Sequence, residues 1–156
     1  MGIRSMLKSL VRPARKAPPR SRPTAHIGAV TTRPDTKPTI TYAPHPDGDA
    51  DPGEVVWTWV PYEDDPTQGK DRPVLVIGWD HDRLVAIQLT SKDHTAHPDN
   101  MEVGTGPWDG SGRPSYVKLD RLLLVDPTAV RREGGTLDKP RFDEVVQRLG
   151  ALHHWH

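Results

Sequence analysis

The chain contains no cysteine, which excludes disulfide frameworks, thiolate metal sites and thiol nucleophiles together. Aromatic residues are scarce at 6%, with a single phenylalanine, and hydrophobic residues reach only 34% against 17 prolines and 13 glycines. A compact core therefore has to come from part of the 156 residues, because chain breakers are dense and apolar side chains thin. No apolar run approaches the roughly 18 to 20 residues that cross a bilayer, and the N-terminus lacks the apolar stretch of a secretory signal. Met6 stands where N-myristoylation asks for Ser or Thr. A soluble, cytoplasmic protein without membrane insertion is expected.

Negative charge is missing from the start of the chain. All 21 acidic residues lie at or beyond Asp35, whereas Arg4, Lys8, Arg12, Arg15, Lys16, Arg20, Arg22 and Arg33 precede it. The formal net charge of zero thus hides a basic beginning, suited to polyanions or anionic lipid heads, and an acidic remainder. From Pro13 to Pro52 the sequence is Pro, Arg, Thr and Asp with almost no apolar period, which reads as an extended, solvated linker. Ahead of it Ile3, Met6, Leu7, Leu10 and Val11 fall at helical spacing, a short basic amphipathic helix over 2–12. A frayed tail kept soluble by its charges is the equal alternative. Residues 1–52 are accordingly assigned to a disordered basic tail and 53–156 to the folded domain.

The pattern changes at Gly53. Glu54 to Tyr62 (EVVWTWVPY) is rich in β-branched and aromatic residues and reads as a strand, followed by a long loop, EDDPTQGKD. Arg72 to Asp80 is apolar on both parities. Arg83 to Lys92 sets Val85, Ile87 and Leu89 on one face and Gln88 and Thr90 on the other, and Asp80, His81 and Asp82 turn the chain between these two strands. Asp93 to Pro114 shows no secure element; Ser115 to Asp126 (SYVKLDRLLLVD) restores strand character. Phe142, Val145, Val146, Leu149 and Leu152 recur at helical steps, with Asp138 and Pro140 as a start signal. Short strands closed by one C-terminal helix predict a mainly β fold, a small barrel with a helix packed on it.

The run GEVVWTWVPYEDDPTQGKDRPVLVIG, then VAIQLTSK, then SYVKLDRLLLVD resembles the PemK/MazF family of toxins in motif content and order. The likeness spans Gly53 to Leu152, about two thirds of the chain. It implies an SH3-like barrel that is homodimeric, cuts single-stranded RNA at short sequences and is held inactive by a cognate antitoxin protein. It also implies that Arg72, opening the second strand, and Thr90, closing the third, are catalytic. Their chemistry agrees: RNA brings its own nucleophile in the 2′-hydroxyl, a guanidinium fork fits the growing charge of a phosphorane, and a hydroxyl can donate to a phosphoryl oxygen. Gln68, Lys70, Ser91, Lys92, Lys118 and Arg121 are the candidate RNA-binding residues, with Arg113 completing a local basic groove. Neither metal nor cofactor is expected, and no general base stands out.

Each of these residues also has an ordinary explanation. Arg72 could bridge Asp71 or Asp65 on the surface, Thr90 could be a generic strand threonine, and the flanking polar residues a solvated loop. A non-catalytic nucleic-acid-binding or protein-binding module on the same barrel is the rival function, and gyrase poisoning by related barrel toxins ranks last. His153, His154, Trp155 and His156 resemble a metal tract but read as an exposed terminus, and Asp47, Asp49 and Asp51 lack the remaining ligands of a calcium loop. His81 and His94 could act as bases, although turn and loop placement accounts for them. Trp57, Trp59, Trp79 and Trp108 could stack on bases; for Trp57 and Trp59, burial in a core or dimer contact is the simpler expectation.

Overall fold

A strand that is apolar on both parities needs cover on both faces, and the strand containing Arg72 to Asp80 receives it. In the computed structural model, which describes residues 30–32, 37–45, 49–93 and 96–155, this strand sits in the middle of the sheet. The elements are β1 (Val30–Thr32), β2 (Thr39–Ile40), β3 (Glu54–Pro61), β4 (Gly69–Asp80), β5 (Arg83–Thr90), β6 (Asn100–Gly104), β7 (Ser115–Lys118), β8 (Leu123–Val125), a 3-10 turn (Pro127–Ala129), β9 (Arg132–Thr136) and α1 (Lys139–His153). The pairings are antiparallel and the main order is β9-β3-β4-β5-β7-β6; β8 pairs with β5, β1 with β8, and β2 with β4. Among the described residues no ladder joins β6 to β9, so the barrel-like sheet stays open.

Two cores follow from the alternation. Leu75 and Ile77 of β4 with Val85, Ile87 and Leu89 of β5 face the main core, which α1 closes with Phe142, Val145 and Leu149. Each such side chain, once buried, stabilises the fold by about 1.5–3 kcal/mol. Val74, Val76, Leu84 and Ala86 face the opposite way, into a second cluster with Val30, Leu123 and Val125. The second face of β5 is thus apolar at Leu84 and Ala86 and turns polar only at Gln88 and Thr90. The hairpin between β4 and β5 closes at Asp80 opposite Arg83, with His81 in the left-handed region at φ 58°.

The helix begins as its start signal predicts: the Asp138 carboxylate accepts the Arg141 amide, and proline occupies the first turn. It ends on His154 at φ 58°. His153 is no free terminal group, since its Nε2 lies 2.8 Å from the Leu119 carbonyl and its ring stacks on Trp155. No group of three or more His, Cys, Asp or Glu able to hold a metal occurs among the described residues, and no described helix is long and apolar enough to cross a membrane.

The boundary placed at residue 53 needs correction. β1 and β2 lie inside the segment read as tail, where β1 covers the edge of β8 and Val30 is 4% exposed. Tyr42 packs edge-on against Phe142 and donates its hydroxyl to the Leu137 carbonyl at 2.7 Å. The buried Glu54 carboxylate accepts the His45 amide at 2.8 Å and the Asp51 amide at 3.0 Å, which fastens this segment to β3. At Gly78 a side chain would run into the Thr39 carbonyl, so β2 can approach only a glycine there. Strands of three and two residues have no period to read, and long-range pairing decides them. The helix expected over 2–12 lies outside the described residues.

Three further differences concern strand limits. Asn100–Gly104 and Arg132–Thr136 are strands that the sequence pattern did not show. Ser115 to Asp126 forms two strands, not one, because the chain turns between Lys118 and Leu123 to leave β7 for β8. The strand expected from Arg72 starts at Gly69, opposite Pro61.

Candidate active site

The apolar cover of the second sheet face ends where β4 begins and β5 finishes, and a cleft of about 1050 Å³ opens there. Arg72 shares a strand face with Val74 and Val76, and Thr90 shares one with Ala86 and Gln88. Val74 pairs with Gln88 and Leu75 with Ile87. The ladder ends at Val74 and Gln88, two residues short of Arg72 on β4 and of Thr90 on β5, and the cleft opens beyond that last rung. Both residues line it, together with Lys70, Ser91, Lys92 and Lys118.

The surroundings of Arg72 leave its guanidinium available. Asp71 is taken by Arg131 at 2.8 Å, and the Asp65 carboxylate accepts the amide and hydroxyl of Thr67 at 3.2 and 2.6 Å. The surface bridge that would have been the ordinary reading of Arg72 is therefore absent among the described residues. The Thr90 hydroxyl oxygen accepts the Lys92 amide at 3.2 Å, so its own proton remains to be donated elsewhere. Burial alone would lower the Lys118 ammonium, but Asp120 and Glu63, at 3.0 and 3.4 Å, outweigh it and hold the group above the usual lysine range. It is charged throughout neutral pH.

Two of the expected residues lie elsewhere. Gln68 belongs to the turn before β4, with its amide on the Asp65 carbonyl and its carbonyl accepting from Tyr62, and it does not line the cleft. Arg121 is 7% exposed and donates to the Pro61 carbonyl at 2.8 Å, a buttress under the end of β3. Burial, and then the charge of Arg72, pull its guanidinium below the ordinary range, while Glu63 and Asp120 work the other way. In the sequence it reads as an exposed strand cation; the corner between β7 and β8 turns it inward.

The opposite wall comes from 97–113, the stretch without a readable element. His97, Asn100, Trp108, Asp109 and Arg113 line the cleft from this side. Trp108 is 5% exposed and its indole donates to the Ser115 hydroxyl at 2.8 Å, which pins the wall to β7. Asp109 accepts the Ser111 amide at 2.8 Å and the Arg113 guanidinium at 3.0 Å. Trp57 of β3 is half-buried and also lines the cleft, while Trp79 packs against the second core. His81 stands at the hairpin tip on Asp80, away from the cleft, and His94 lies outside the described residues.

The family model of PemK-like, MazF-like toxins of type II toxin-antitoxin systems matches residues 51–153. The chain belongs to that family. Among solved structures it is similar to an endoribonuclease in complex with its cognate antitoxin from a Mycobacterial species, with a TM-score of 0.53 and 15% identity over 67% of this chain and 95% of that one. It is also similar to MazF from Deinococcus radiodurans, at 0.52 and 26% identity over 68% and 97%, and to the MazE-MazF complex of the same organism, at 0.52 and 22% over 69% and 98%. No curated protein matches the chain. The matched region begins after Tyr42 and His45, so β1 and β2 lie outside the residues matched to the family.

Proposed function

We propose that the protein is the toxin of a type II toxin-antitoxin pair and acts as a metal-independent endoribonuclease on single-stranded RNA. The observation that carries this reading is that Arg72 and Thr90 line one cleft just beyond the last rung of the β4–β5 ladder, with no ion pair to the guanidinium and no acceptor for the hydroxyl proton among the described residues. The 2′-hydroxyl attacks the adjacent phosphorus in line, so the enzyme has to orient the strand and stabilise the phosphorane. Arg72 gives two parallel hydrogen bonds to the phosphoryl oxygens. Thr90 donates a third. Lys70, Lys92 and Lys118 hold the neighbouring phosphates, and Ser91 adds a hydroxyl beside them. The products are a 2′,3′-cyclic phosphate and a 5′-hydroxyl.

By family, the functional unit is a homodimer in the cytoplasm, silenced by a cognate antitoxin protein. Two of the similar solved structures, an endoribonuclease with its cognate antitoxin and a MazE-MazF complex, support this reading. It is tested by expression in a growing culture together with cleavage of a mixed-sequence RNA by the purified protein. Wild type is expected to arrest growth and cut at a short recurring sequence; a folded Arg72→Ala variant is expected to lose about 100- to 1000-fold in cleavage and to relieve the arrest. A folded Arg72→Ala that remains toxic overturns it, and binding without cleavage by wild type favours the non-catalytic module.

A further inference from the structure

Cyclisation of RNA moves two protons, and neither a guanidinium nor an aliphatic hydroxyl is suited to exchange one as acid or base. A group that can do so has to reach the same cleft. Both carboxylates that line it are engaged, Asp71 by Arg131 at 2.8 Å and Asp109 by Arg113 at 3.0 Å. Lys118 is held charged by Asp120 and Glu63. Among the described residues lining the cleft, the one imidazole is His97, and an imidazole is the ordinary side chain that changes charge between pH 5 and 8.

The orientation of His97 is set by its own loop. Its Nδ1 accepts the Asp99 amide at 3.2 Å, with the Asp99 carboxylate 3.8 Å away, and its carbonyl accepts the Asn100 amide at 3.1 Å. With Nδ1 turned to Asp99, Nε2 is the nitrogen left for the cleft. Thr90 pairs with Tyr116 and Asn100 pairs with Lys118. Two strand spacings and two residues along β7 thus separate Thr90 from Asn100, on the order of 12 Å, and His97 stands one turn before Asn100 on the lining of the same cleft. Lys92 and Lys118 line the same cleft, and Arg148 of α1 donates to the carbonyl of Pro98, the next residue, at 3.2 Å.

We propose that His97 is the general acid of the cleavage, donating its Nε2 proton to the departing 5′-oxygen from the wall opposite Arg72 and Thr90. In this step the bond from the 2′-oxygen to phosphorus forms and the bond from phosphorus to the 5′-oxygen breaks. The proton of the 2′-hydroxyl passes to water, and that of His97 ends on the 5′-hydroxyl product. Once the ring is charged, Nδ1 no longer accepts the Asp99 amide, and its N–H turns to the Asp99 carboxylate 3.8 Å away. Solvent then reprotonates His97.

The inference rests on the ribonuclease reading, and the test separates the two. Single-turnover cleavage is measured on an RNA oligonucleotide and on the same oligonucleotide with sulfur replacing the bridging 5′-oxygen at the scissile position, because a thiolate leaves without a proton. His97→Gln is expected to lose about 100-fold or more on the oxygen substrate, the usual worth of a general acid, and to cut the sulfur substrate nearly as wild type does. Arg72→Ala is expected to lose on both. Cleavage of the oxygen substrate by His97→Gln at the wild-type rate overturns the proposal, and so does an equal loss on both substrates, which marks a structural role. If wild type cuts neither, the ribonuclease reading itself falls.

Discussion

The two walls of the cleft are built by different means. On one side Lys70, Arg72, Thr90 and Lys92 come from the ends of two long central strands, where a period of two residues decides which way each side chain points. On the other, His97, Asp109 and Arg113 sit on connecting chain between short strands, held by local turns and by one buried indole. The first wall takes its geometry from the sheet, whereas the second takes it from a few contacts. Chemistry placed on the first should tolerate change around it, and chemistry placed on the second should not.

The largest expected effect falls on the weaker wall. Trp108→Ala removes a buried ring and its bond to Ser115, and is expected to destabilise the fold by about 3–5 kcal/mol, seen as a lowered melting temperature. If instead the melting temperature is unchanged, the wall does not hang on that indole. On the sheet wall, Arg72→Lys keeps the charge and loses the fork. It is expected to forfeit roughly 1.5–3 kcal/mol of transition-state stabilisation, one to two powers of ten in single-turnover rate, at wild-type stability. Full activity of the lysine variant would mean that Arg72 acts as a point charge only.

Smaller effects sharpen the contrast. Lys70→Ala and Lys92→Ala are each expected to lower the dependence of log affinity on log salt by about 0.7, as the loss of one single-strand phosphate contact does; titrations of a fluorescent RNA at several ionic strengths measure it. An unchanged slope would place that lysine off the backbone path. Smallest is Asp109→Asn, which frees Arg113, 60% exposed, from its ion pair. A change in unfolding free energy of about 1 kcal/mol or less is expected, and a larger one in denaturant melts would show that the turn around Ser111, not Trp108, holds the wall.

The difference in construction also explains what was legible. The alternation at Val85, Ile87 and Leu89 fixed the face of Thr90, and the doubly apolar run Val74 to Ile77 marked the central strand. Asp138 and Pro140 marked the start of α1. His97 carried no such signal, because it occupies a turn in a segment rich in Gly, Pro and Asp, and only its spatial neighbours give it a cleft to face. Arg121 looked like the other cations until the turn between β7 and β8 carried its guanidinium to the Pro61 carbonyl. β1 and β2 were invisible for a related reason: two or three residues show no period, and the pairing of Val30 with Val125 or of Ile40 with Gly78 exists only once the sheet does. Alternation is a local property and could be read; edge-filling and loop anchoring are long-range and could not.

On the ribonuclease reading, Arg72 and Thr90 act together on one phosphodiester. A double-mutant cycle in single-turnover RNA cleavage, with Arg72→Ala, Thr90→Val and both combined, tests it most directly. Strong non-additivity is expected, the double variant losing little more than Arg72→Ala alone. Losses that multiply as independent factors would contradict it, since they would place the guanidinium and the hydroxyl on separate tasks.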